Sequence, residues 1–282
     1  MTASQHMVQA NGLRFRTMVD GPATGEMAIL LHGFPEGAES WTKQVDALAR
    51  AGALAVAPDM RGYGLSEAPP NVSDYEIGKL VADVAGLIKA FGRDRAHIAG
   101  HDWGAIIAWF FASHHPEMTK SLTVLSVGHP AAAAAAIRND EDQAKRSEYI
   151  RLFLMEGKAE EVLTEDDNRR IRVMFGDIAG PTGEHFTRSI SRPGRLTAAL
   201  NYYRANFGRG LDWWSRASDV KVRAPTVLLW GDQDAFLGRW QAEHTGDHMT
   251  HDYRLEVLEG AGHWLQFERP DEVSHALVGA AL

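Results

Sequence analysis

An aspartate stands at the centre of Gly100-His101-Asp102-Trp103-Gly104. The apolar stretch before it reads as a strand and residues 105–113 read as a helix. The segment is therefore a strand–turn–helix elbow of the G-x-nucleophile-x-G kind, with aspartate where serine is usual. The glycines permit a sharp turn that leaves the central side chain exposed above a sheet, and the helix N-terminus behind it favours an anion. A carboxylate so placed can attack an sp³ carbon by displacement and become an alkyl ester. Hydrolysis of that ester takes a general base and a group to orient it. Gly231-Asp232-Gln233-Asp234 and Gly260-Ala261-Gly262-His263 supply both, in that order, each after an apolar strand. His263 is the candidate base, and Asp232 and Asp234 are the candidate acids. His32-Gly33-Phe34-Pro35 follows another strand, so the backbone N–H groups of Phe34 and Trp103 are candidates for an oxyanion hole.

These residues need a scaffold, and the sequence predicts one. Asn11-Gly12 lies between Met7-Val8-Gln9 and Leu13-Arg14-Phe15-Arg16, a two-residue loop suited to a β-hairpin. Short apolar runs at 28–31, 53–57, 96–99, 122–125, 226–230 and 255–258 read as strands buried on both faces. Ser73-Asp74-Tyr75-Glu76 reads as a capping box opening a helix through Ile77, Leu80, Val81, Val84 and Leu87-Ile88, which Gly92 ends. Pro270 opens the last helix. Alternating strands and helices predict an α/β fold with a mostly parallel sheet covered on both sides. The alternation breaks from about 129 to 222, where aromatic-rich helical stretches replace strands. The expected organisation is a core of residues 1–128 and 223–282 interrupted by a helical cap of residues 129–222.

With 282 residues, 45% apolar and 23% charged, the chain has the composition of a globular protein with a real core. Its net charge of −8, with no basic block, speaks against nucleic acid and anionic membranes as partners. The absence of cysteine excludes thiolate nucleophiles, thiolate metal sites and disulfides. The first residues carry no apolar stretch, and no run of about 18 apolar residues exists to span a membrane. The expected location is cytoplasmic.

The chain resembles the α/β-hydrolase superfamily, and within it the soluble epoxide hydrolases, over nearly its whole length. The elbow, acid and histidine fall in that superfamily's chain order. The most specific segments are His32-Gly33-Phe34-Pro35-Glu36, Asp59-Met60-Arg61-Gly62-Tyr63-Gly64-Leu65-Ser66, Gly100-His101-Asp102-Trp103-Gly104-Ala105 and Gly262-His263-Trp264. Two more lie in the expected cap: Glu148-Tyr149-Ile150-Arg151-Leu152-Phe153 and Leu200-Asn201-Tyr202-Tyr203-Arg204. The resemblance implies that Tyr149 and Tyr203 point at an epoxide oxygen, that Asp234 is the acid, and that Glu36 and His101 hold the hydrolytic water or pass its proton. It implies a small apolar epoxide as substrate, a vicinal diol as product, and no cofactor or metal.

Plainer readings compete. Aromatics at helical spacing are usually core, and Tyr202 points about 100° away from Tyr203 on the same helix, so one of the two faces the pocket. Haloalkane dehalogenases also use an aspartate followed by tryptophan, which makes dehalogenation the rival activity. They typically add a second donor, often asparagine, where this chain has Phe34, and fluoroacetate dehalogenases have arginine where this chain has Trp103. A catalytically silent binding protein on the same fold is the remoter alternative. His244, His248 and His251 mimic a metal face but lack the glutamate of a zinc protease motif, so no metal site is expected there. The oligomeric state, monomer or homodimer, is open.

Overall fold

The computed structural model describes residues 3–281. Eight strands form one sheet: β1 (Ser4–Ala10), β2 (Leu13–Asp20), β3 (Met27–Leu31), β4 (Leu54–Pro58), β5 (Ala96–His101), β6 (Thr119–Leu125), β7 (Thr226–Gly231) and β8 (Tyr253–Leu258). Asn11 and Gly12 take φ of 46° and 79°, the left-handed geometry of a tight hairpin turn, and fold β1 onto β2. The strand order is β1-β2-β4-β3-β5-β6-β7-β8. β2 pairs antiparallel with β1 and β4, and the remaining pairs are parallel. The chain leaves β3 toward β4 on one side and returns to β5 on the other. Such a reversal opens a crevice at the carboxyl ends of the strands, and Phe34 and Asp102 follow β3 and β5 there.

Alternate residues of each strand serve opposite faces. Ile29, Leu31, Val56, Ile98 and Val124 pack with α2 (Ile77–Ala90) and α3 (Trp103–His114). Ala28, Leu30, Ala55, Ala57 and Ala99 pack with α1 (Thr42–Arg50) and with the C-terminal helix Pro270–Ala281. α3 is buried almost all round, as an apolar helix without a polar face must be. It is covered by the sheet on one side and by the helical segment that follows β6 on the other.

Every regular element from Pro130 to Ala217 is helical: α4 (Pro130–Asn139), α5 (Glu141–Arg146), α6 (Tyr149–Phe153), α7 (Lys158–Met174), α8 (Glu184–Ile190), α9 (Arg195–Asn206) and α10 (Leu211–Ala217), with short 3₁₀ and π turns between them. After β7 come α11 (Arg239–Glu243), α12 (Leu265–Glu268) and α13, the helix Pro270–Ala281. Phe153, Phe175, Phe186, Tyr202 and Trp214 of the insertion join the apolar cluster on the α2–α3 side of the sheet. Polar contacts anchor α9 to the same side. Tyr202 Oη donates to the Arg61 carbonyl at 2.7 Å, and Arg195 Nη1 donates to the Ser66 carbonyl at 2.6 Å. None of the described helices is long and apolar enough to cross a membrane.

One local expectation is corrected. The capping box before α2 is Asn71 with Asp74, and it closes a 3₁₀ turn over Val72–Tyr75. The α-helix begins only at Ile77, whose N–H donates to Asn206 Oδ1 of α9 at 2.9 Å. A side chain remote in sequence supplies the cap, so the local Ser73-to-Glu76 pattern misplaced the start.

Candidate active site

Asp102 sits at φ 51°, ψ −119° between β5 and α3. Few non-glycine residues adopt a positive φ, so the elbow stores strain to hold this side chain out over the sheet. Its neighbours leave no room for alternatives. A Cβ on Gly104 would come within 2.0 Å of the Leu31 carbonyl oxygen, and one on Gly33 within 2.4 Å of Asp102 Cβ. The loop after β3 and the elbow therefore touch backbone to side chain.

That contact brings two backbone donors to the Asp102 carboxylate. The Phe34 N–H donates to Asp102 Oδ1 at 2.7 Å, and the Trp103 N–H also bonds the carboxylate. The other oxygen, Oδ2, faces His263 Nε2 at 3.8 Å. His263 Nδ1–H donates to Asp234 Oδ2 at 2.8 Å, while Asp234 Oδ1 accepts the N–H groups of Phe236 and Leu237 at 2.8 and 3.0 Å. Asp232 instead accepts the Gly260 N–H at 2.7 Å, away from the imidazole.

Burial pushes Asp102 above the ordinary carboxylate value, against the pull of His263, His101 and the two backbone N–H groups. Burial alone would lower His263, but the charges of Asp234 and Asp102, with Glu36 behind them, raise it from 6.5 to about 9. Two carboxylates thus compete for one imidazolium.

Behind His263 lies a wholly buried polar cluster. His101 Nε2–H donates to the His263 carbonyl at 2.9 Å, His101 Nδ1 meets Glu36 Oε2 at 2.9 Å, and the Gly33 N–H donates to the same Glu36 oxygen at 3.0 Å. Burial works to raise Glu36, yet His101 and His32 beside it hold it below the usual carboxylate range. Two members of this cluster had no sequence signal. Gln266 Nε2 donates to Glu36 Oε1 at 2.6 Å, and Ser126 Oγ donates to the His263 carbonyl at 2.7 Å.

Tyr149 of α6 and Tyr203 of α9 meet above Asp102 with ring centroids 6.3 Å apart. Both line two adjoining cavities that share Asp102 and Phe236. One is bounded by α4 residues Ala133, Ala134 and Ile137, the other by Phe34, His263 and Trp264. Burial pushes both phenols above their ordinary value, and the Asp102 charge adds to the shift. Tyr203 packs edge-on against Trp103 at 5.0 Å and Phe34 at 5.8 Å. Tyr202 turns the other way, into the contacts of Tyr63 and Tyr75. Phe236, 5.0 Å from the His263 ring, is another lining residue that carried no signal.

The remaining motif residues serve the scaffold. Asp59 accepts the Ala38 and Leu65 N–H groups at 3.0 Å each, and Arg61 pairs with buried Asp83 at 2.6 Å. His244 stacks on Trp240 at 3.7 Å and His248 on His129 at 4.4 Å, so these two histidines of the apparent metal face have separate partners.

A family model described as alpha/beta hydrolase fold matches residues 29–270. The chain is 34% identical over 291 residues to epoxide hydrolase 3 of Xenopus tropicalis, covering 97% of this chain and 78% of that one. The chain belongs to the epoxide hydrolases of the α/β-hydrolase fold family. It is also 33% identical over 315 residues to epoxide hydrolase A of Mycobacterium tuberculosis, covering 98% and 96% of the two chains. Among solved structures, epoxide hydrolase A from Mycobacterium thermoresistibile superposes with a TM-score of 0.87 at 33% identity, covering 99% of this chain and 98% of that one. The fold is thus shared along essentially the whole of that chain.

Proposed function

We propose that this protein adds water to a small apolar epoxide, giving a vicinal diol through an ester on Asp102, with residues 129–222 acting as a cap over the core. The observation that carries the reading is the convergence of two phenols, Tyr203 buried and Tyr149 partly so, and a carboxylate on the same pair of cavities. Opening an epoxide releases an alkoxide, which needs a proton donor at once. Burial keeps Tyr149 and Tyr203 protonated and therefore able to donate. The names of the relatives support the same substrate class.

The chemistry follows from the two oxygens of Asp102. Oδ2 attacks one ring carbon, the C–O bond opposite breaks, and a tyrosine gives its proton to the released oxygen. Oδ1 becomes the ester carbonyl oxygen, already seated on the N–H groups of Phe34 and Trp103. Alkylation removes the Asp102 charge that helps hold a proton on His263. The imidazolium then passes its proton to the tyrosinate left by ring opening, and the neutral imidazole takes one from water as that water attacks the ester carbonyl. Asp234 stabilises the imidazolium so formed. Collapse expels the second diol oxygen, which His263 protonates, and the proton left on the Asp102 carboxyl passes to His263, restoring the starting carboxylate and imidazolium. Glu36 and His101 support the water side of His263. The scheme draws on no cofactor.

The test is diol formation from styrene oxide, with Asp102→Ala as control. Diol that disappears in the variant supports the reading, and no diol across a panel of apolar epoxides overturns it. Halide release from haloalkanes that survives loss of both tyrosines would point to dehalogenation instead.

A further inference from the structure

The acid Asp234 is held by its own loop. Because Oδ1 accepts the N–H groups of Phe236 and Leu237, the carboxylate sits wherever residues 236–238 sit. That stretch lies beyond the end of β7 and is gripped by α5 of the helical insertion. Gln143, 2% exposed, donates Nε2–H to the Phe236 carbonyl at 2.9 Å, and its Oε1 accepts the Gly238 N–H at 2.7 Å. Its other amide hydrogen goes to Ser147 Oγ at 3.0 Å. The amide is thus spent on protein partners. One turn along, Arg146 donates to the Asp234 carbonyl oxygen itself, with its Nε steadied by Asp142 at 2.6 Å. Phe236, bracketed by the Gln143 amide, packs on both the His263 ring at 5.0 Å and Tyr149 at 5.7 Å.

We propose that Gln143 is a positioning residue for the catalytic acid, through which the helical insertion sets the seat of Asp234 against His263. The inference deepens the proposed epoxide hydrolysis and rests on it. Gln143 acts on the second half of the reaction, because ester hydrolysis needs the Asp234–His263 bond and ring opening does not. A displacement of about 1 Å at such a bond is worth up to roughly 100-fold in rate. His263 is faced by Asp102 from the elbow, Asp234 from the loop after β7, Glu36 from the loop after β3 and His101 from β5. Of these, only Asp234 changes its seat when Gln143 is lost.

Gln143→Met keeps the volume and removes the amide. The experiment mixes enzyme in excess with styrene oxide, quenches at intervals, and follows the ester on Asp102 by mass. Ester decay is first-order, so its rate does not depend on what fraction of the variant folds. Gln143 also lines the cavity bounded by α4, so ester formation is read at saturating enzyme, where it is expected to change far less than decay, which slows by roughly 10- to 100-fold. The acid limb of the decay profile should also move to lower pH, since a displaced Asp234 holds the His263 proton less firmly. Gln143→Glu, which keeps an acceptor for the Gly238 N–H, should slow decay less. Decay and acid limb equal to wild type would overturn the clamp, as would slowing of both half-reactions alike with the limb unmoved. No ester in the wild type would instead overturn the reading beneath it.

Discussion

Asp102, Asp234 and His263 stand at the ends of parallel strands, where backbone N–H groups grip each carboxylate at 2.7 to 3.0 Å. Tyr149 and Tyr203 stand on helices of the insertion, where rings pack on rings 4.9 to 6.3 Å apart. The first region is built by hydrogen bonds of fixed direction, and the second by apolar contacts that tolerate small shifts. The insertion also divides within itself. Tyr203 rides on α9, pinned to the core through Tyr202, Asn206 and Arg195. Tyr149 opens α6, a helix of five residues. Under the proposed function, the nucleophile and base belong to the rigid region and the proton donors to the more adaptable one, where substrate shape must be accommodated.

Substitutions on the two sides should stall the reaction at different points. His263→Gln removes the general base and is expected to slow ester decay by roughly 10³- to 10⁴-fold while ring opening continues. The check is accumulation of the ester under multiple-turnover conditions. Replacing both Tyr149 and Tyr203 by Phe should do the reverse, slowing ring opening by roughly 10³-fold with no ester accumulating. Single replacements should cost roughly 10-fold each, with Tyr203→Phe the more severe because its helix is better fixed. Equal accumulation of ester in the two sets would erase the distinction between the regions.

The same contrast sets a pH dependence. Folding raises His263 from 6.5 to about 9. Its contribution to stability is therefore complete below about pH 6.5 and is lost as pH rises through about 9. The wild-type Tm should fall by roughly 5 °C across that window, and by less in His263→Gln. A scan of Tm against pH on both proteins decides it. Tyr202→Phe gives the smallest effect. It removes one buried hydrogen bond to the Arg61 carbonyl and should cost about 1 kcal/mol of stability with kcat nearly unchanged. Urea unfolding beside a diol assay measures both.

The legibility of the sequence divides along the same line. β5 and β7 are buried and read as apolar runs, whereas β8, expected to be buried on both faces, is a half-exposed edge strand. Spacing points to Asp102, His263 and an acid at Asp232 or Asp234, and the resemblance singles out Asp234. Tyr149 and Tyr203 carry no such pattern. In α9 nearly every residue is buried, so periodicity gives Tyr202 and Tyr203 equal weight, and only the resemblance singles out one. Gln266, Ser126, Phe236 and Gln143 were invisible because their partners lie far away in the chain, 230 residues for Gln266 and Glu36. The start of α2 was misread for the same reason, its cap being Asn206.

The account turns on a covalent bond to Asp102, and the oxygen of the first turnover tests it most directly. Enzyme in excess over styrene oxide is allowed one turnover in ¹⁸O-water, and the diol and the peptide bearing Asp102 are weighed separately. If the ester forms and water attacks its carbonyl, the label enters the Asp102 carboxyl and the first diol carries none. Label in the first diol, with the Asp102 peptide unchanged, would mean that water attacks the epoxide itself and would contradict the account.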